Sequence, residues 1–140
     1  MLASVGNNKF KSEWHQFTTA NDKESPISFL YVGDAQNYIL DLWSRVIRKA
    51  YKVAPDADFF IHAGDLVDKA HSESEWNEWF AAGSFIHSEI PAIAVPGNHE
   101  YQRTDSDQQG LGRILSLQWR PQFSLPKNGC LLYTSDAADD

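Results

Sequence analysis

The stretch Asp58-Phe-Phe-Ile-His-Ala-Gly-Asp65 decides the fold. A short run of strand-forming residues closes on a glycine and an acidic residue, the punctuation of a strand that ends in a turn. The same order occurs upstream in Ile27-Ser-Phe-Leu-Tyr-Val-Gly-Asp34 and again downstream in Ile93-Ala-Val-Pro-Gly-Asn98. The three units recur at intervals of roughly 30 residues, the length of a strand, a crossover helix and the next strand. Largely continuous apolar runs, rather than strict alternation, predict a parallel sheet with helices on both faces. The chain is therefore expected to be α/β with β-α-β-α-β order.

The intervening segments fit that order. Asn37 to Tyr51 carries Ile39, Leu42, Trp43, Val46, Ile47 and Ala50 at helical spacing, which predicts one buried face. Ser72-Glu-Ser-Glu75 offers a capping-box start for a second helix, whose Trp76, Trp79 and Phe80 share a face before Gly83 weakens the pattern. Trp14 to Thr19 reads as a short strand, and Ala20 to Pro26 as a polar linker, so a boundary falls near residues 20 to 26. Beyond Tyr101, Gln102 to Gly112 reads as a long surface loop. Ile114 to Phe123 fits either a short helix or an extended segment that packs Leu117, Trp119 and Phe123.

Composition narrows the function classes. The 140 residues are 42% hydrophobic and 13% aromatic, enough to bury a core. No apolar run approaches the roughly 20 residues that span a bilayer, and Met1 to Phe10 lacks the order of a signal peptide. With 19 acidic against 12 basic residues, the chain lacks the basic balance of a nucleic-acid scaffold. The single cysteine excludes an internal disulfide framework. Cys130 to Asp140 matches the translated reading of a transposase-type sequencing adapter and is set aside as an artefact. Without its three aspartates the charge is −4 rather than −7, and no cysteine remains.

In open α/β sheets, ligands sit beyond the carboxyl ends of the strands, where Asp34, Asp65 and Asn98 fall. Two carboxylates and an amide suit hard or borderline divalent metals, and the glycines before them allow close approach. Two metals roughly 3.5–4 Å apart can clamp the attacking and leaving oxygens of phosphoryl chemistry. His99 would then protonate a leaving group or hold a phosphate oxygen. Asp and Asn after a strand are also common helix caps. Three in register, with His-Glu after the last, favour a site. His15, His62, His71 and His87 show no ligand spacing; His62 fits a packed strand position at least as well as a site. Glu73, Glu75 and Glu78 read as a solvated helix face.

Gly33-Asp34, Gly64-Asp-Leu-Val-Asp68 and Gly97-Asn-His-Glu100 resemble the ordered motifs of the calcineurin-like metallophosphoesterases. Val95 to Tyr101 is similar to the purple acid phosphatase branch. The resemblance implies the N-terminal half of a metallophosphoesterase β-sandwich core, over residues 25–129. Residues 1–24 would be the remnant of a fibronectin-III-like domain, of which Glu13 to Ala20 resembles the closing strand. Residues 130–140 form the adapter segment.

By matched residue, the resemblance implies that Asp65 bridges two metal ions of the Fe, Mn or Zn class, Asp34 binds the first, Asn98 the second, and His99 acts at the leaving group. Gln36 stands where the wider superfamily has a ligand His and is a weaker candidate ligand through its carbonyl oxygen. Asp68 stands where purple enzymes have a ligand Tyr and is a secondary candidate metal ligand, so no purple tyrosinate band is expected. The implied reaction is hydrolysis of a small-molecule phosphate ester by a metal-bound hydroxide, and the two-domain members of the family tend to be exported. The family's later His and Gly-His-x-His ligands have no counterpart here, so these 140 residues alone are expected to bind metal poorly and turn over little. The competing class is a non-catalytic module that keeps the fold, to which Gln36 gives some footing.

Overall fold

The computed structural model describes residues 2–3, 6, 11–19, 21–103 and 113–123. Leu2–Ala3 (β1) pairs antiparallel with His15–Gln16 (β2), so the strand expected over Trp14 to Thr19 is reduced to two residues. The central sheet follows: Phe29–Val32 (β3), Phe59–His62 (β4) and Ala92–Ala94 (β5), parallel and in that spatial order. Between β3 and β4 lie a π-helical turn over Ile39–Trp43 and the helix Ser44–Val53 (α1); between β4 and β5 lies Glu73–His87 (α2). A hairpin of Tyr101–Arg103 (β6) and Arg113–Leu115 (β7) comes next, then the short helix Trp119–Gln122 (α3).

Strand register sorts the side chains. Leu30 aligns with Phe60, and Val32 with His62 and Ala94. These residues face the helices, and Phe60, His62 and Ala94 are fully buried there. Phe29, Tyr31, Phe59, Ile61 and Ile93 point the other way, and Tyr31 is 68% exposed. Helices were expected on both faces; among the described residues they cover one. The reason is topological: right-handed crossovers between strands laid down in sequential order put successive helices on the same side.

The first helix buries a narrower stripe than its spacing predicts. Ile39, Trp43 and Ile47 are buried, whereas Leu42 and Val46 are about half exposed. The wide π turn advances less per residue than an α turn, so one residue per turn meets the core. The Ser44 hydroxyl donates back to the Leu40 carbonyl within that turn. In α2, Ser72 is the N-cap and accepts from the Glu75 N–H at 3.4 Å. This helix continues through Gly83, where the His87 ring folds back over the glycine and stacks on Trp79 at 4.7 Å.

Both readings of the segment from Ile114 to Phe123 hold in part, since it begins extended and ends helical. Trp119 is fully buried among the α2 aromatics, but Leu117 is 78% exposed. Of the loop expected over Gln102 to Gly112, Gln102 and Arg103 belong to β6, and 104–112 lie outside the described residues, as does Cys130 to Asp140.

Candidate functional site

Asp34 and Asp65 leave the ends of β3 and β4 in the left-handed backbone region, at φ 55° and 52°. Asp tolerates that region better than most residues, and such outliers gather at functional sites. Neither residue caps a helix, and nor does Asn98: the caps are Tyr38, Trp43, Ser72, Gly97 and Gln118. The capping alternative for the three residues is thereby removed.

The loops after β4 and β5 touch backbone to backbone. A Cβ on Gly64 would stand 2.6 Å from the Gly97 Cα, and one on Gly97 would stand 2.3 Å from Asp65 Oδ1. Only glycine permits this approach. It brings Asp65 and Asn98 together: the Asn98 amide lies 3.0 and 3.1 Å from the two Asp65 oxygens, and the His99 N–H donates to Asp65 Oδ1 at 3.0 Å. With its nitrogen turned to Asp65, Asn98 donates to the carboxylate. With its oxygen turned there, only acceptors face one another and a cation is what reconciles them. Oxygens around a six-coordinate ion with bonds of roughly 2.1 Å lie about 3 Å apart, so this donor set fits a metal.

Asp34 joins the edge through its backbone, its N–H donating to the Gly64 carbonyl at 3.2 Å, and its side chain is exposed. The Gln36 Oε1 is buried and has no hydrogen-bond partner, an oxygen ready for a cation or a donor. Among the described residues no three His, Cys, Asp or Glu side chains gather as a metal cluster. The structure therefore joins Asp65, Asn98 and His99 directly and leaves Asp34 and Gln36 on the neighbouring loop.

Asp68 approaches His99 rather than Asp65. The His99 Nδ1 lies 2.9 Å from the Asp68 carbonyl and 3.2 Å from its Oδ1. A carbonyl only accepts, so Nδ1 carries a proton and Nε2 is the nitrogen left to exchange one. Beside this pair opens a cleft of about 370 Å³ lined by Asp68, Lys69, Ala70, His71, His99, Tyr101 and Gln102. Lys69 and His71 were not singled out by sequence as site residues. Their nearness to Asp68 in the chain was the one available signal.

His62 does not line the site. It is fully buried between Phe60 and Trp79, 5.4 Å from the His87 ring. Burial, with His87 adding a smaller repulsion, pushes its pKa down to about 3, and burial takes His87 to about 4.

Glu100 is also fully buried. Its Oε1 accepts from the Leu66 and Val67 N–H groups at 2.8 and 3.3 Å, and its Oε2 from those of Asp65 and Gly97 at 2.9 and 2.7 Å. Burial pushes the carboxyl above its ordinary value, and the four donors pull it only part of the way back. Each oxygen already accepts two bonds, which leaves no lone pair for a proton, so the group is a carboxylate. All four partners are backbone N–H groups, none of them on His99.

A family model described as calcineurin-like phosphoesterase matches residues 14–134. The fold is shared with a solved purple acid phosphatase isolated from yellow lupin (Lupinus luteus) seeds, at TM-score 0.58 and 20% identity. That match covers 69% of this chain and 19% of the lupin chain. No curated protein matches.

Proposed function

This chain belongs to the calcineurin-like phosphoesterase family, and from that premise we propose that it carries part of a dinuclear metal centre that hydrolyses a small-molecule phosphate ester. Asp65 would bridge two ions of the Fe, Mn or Zn class, Asp34 would hold the first and Asn98 the second, and Gln36 would add a weaker carbonyl ligand. When bound, the ions would supply Lewis-acid activation of a water and neutralise phosphate charge. His99, held through Nδ1 by Asp68, would present Nε2 to the departing oxygen. The cleft beside it would take the leaving group. Residues 25–129 would form this catalytic part, with 1–24 the end of a fibronectin-III-like domain.

The convergence of Asp65 and Asn98 on one another carries the reading. Its test is zinc titration and p-nitrophenyl phosphate hydrolysis by the protein with the family's later histidine ligands present. Asp65→Asn is expected to weaken both. His99→Ala should leave zinc affinity in place and lower kcat by roughly 10²- to 10⁴-fold. Protein that takes up no metal, or activity indifferent to Asp65→Asn, would point to a module that keeps the fold without turnover. An iron-loaded form should lack a tyrosinate charge-transfer band, because Asp68 occupies the place of the purple enzymes' tyrosine.

A further inference from the structure

We infer that Glu100 is a positioning residue, a buried anionic clasp that sets the separation of Asp65 and Asn98 before any metal arrives. The inference rests on reading the Asp65–Asn98 edge as a metal site, and it adds what holds that edge in register.

Three of its four hydrogen bonds go to the loop after β4, on Asp65, Leu66 and Val67, and the fourth goes to Gly97 in the loop after β5. One carboxylate thus ties together two loops that are 35 residues apart between Asp65 and Glu100. The tie falls on the backbone of Asp65 itself and on the residue before Asn98. Where the loops meet, Gly64 and Gly97 leave no side chains between them; the other ties, from His99 and Asn98 to Asp65 and Asp68, leave the N–H groups of Leu66, Val67 and Gly97 to Glu100. Charge-assisted bonds are about twice as strong as neutral ones, and a buried N–H that loses its acceptor is left unsatisfied. A neutral amide of the same shape cannot substitute. Glu100→Gln would turn an NH₂ group toward two N–H donors, and Glu100→Asp, one methylene shorter, would not span both loops.

The test compares the protein carrying the later histidine ligands with its Glu100→Gln variant. Zinc affinity is expected to fall roughly 10- to 100-fold, the usual range for a lost outer partner of a metal ligand. The visible spectrum of the cobalt-substituted protein should shift, and circular dichroism should stay that of the folded chain. Equal zinc affinity and an unchanged cobalt spectrum in the variant would overturn the inference. Wild-type protein that binds no zinc would instead overturn the reading of the site. If Glu100→Gln does not fold, amide exchange in the metal-free wild type decides. The N–H groups of Asp65, Leu66, Val67 and Gly97 should be protected to the level of β4 and stay unchanged on adding zinc. Protection that appears only with zinc would mean that the metal, not Glu100, orders the loops.

Discussion

At the scale of single residues, the glycines of the three repeated units are not equivalent. A Cβ on Gly33 would meet Ala63 Cβ at 3.4 Å, an ordinary contact. On Gly97 it would strike the Asp65 carboxylate and N–H. Gly33→Ala should therefore change stability by roughly 0.5 kcal/mol or less, while Gly97→Ala should cost roughly 2 kcal/mol or more and abolish zinc binding. Urea unfolding and zinc calorimetry on the two variants check this, and equal effects would contradict the backbone contact. The same scale shows why Glu100 was hard to read. Its chemistry lies in bonds to N–H groups of residues far away in the chain, and the motif offered only its adjacency to His99.

At the scale of elements, helices cover the parallel sheet on one side among the described residues. Phe29, Tyr31 and Ile93 are 48, 68 and 43% exposed on the other face, with Phe29 stacked on Phe59 at 5.2 Å. Parallel sheets are ordinarily buried on both faces, and contiguous exposed apolar area drives association. The isolated chain should bind a hydrophobic dye and self-associate. The double substitution Tyr31→Lys, Ile93→Lys should reduce both, measured by dye fluorescence and sedimentation. At the start of α2, Ser72→Ala should cost about 1 kcal/mol through loss of the N-cap, read from thermal unfolding. That cap and the two-helix order were legible in the residues. The π turn was not, because the widening depends on how Ile39 and Trp43 seat against α2.

At the scale of the whole molecule, two neutral histidines sit in the aromatic core, with all four ring nitrogens buried and without hydrogen-bond partners. Their folded pKa values, about 3 for His62 and about 4 for His87, lie below the unfolded value of 6.5. Below about pH 6.5 the unfolded chain takes up protons that the folded core refuses, so unfolding becomes easier as pH falls toward those lower values. Their contribution is complete above pH 6.5 and shrinks by about 2 kcal/mol per histidine by pH 5. Urea unfolding at pH 7.5 and 5 should show this loss, and His62→Phe should remove close to half of it. An unchanged slope in that variant would mean that His62 is not buried neutral.

Taken alone, the residues determined the α/β class, the strand ends and the candidate ligands, since these depend on local runs, turns and spacing that neighbours in the chain impose on each other. Tertiary structure decided the rest. That His62 and His87 belong to the core, that Asp68 turns to His99, that helices cover one sheet face among the described residues and that Glu100 clasps two loops all depend on contacts between distant segments. Such contacts are set by crossover handedness and by two glycines packing without side chains between them, and no periodicity along the chain records them.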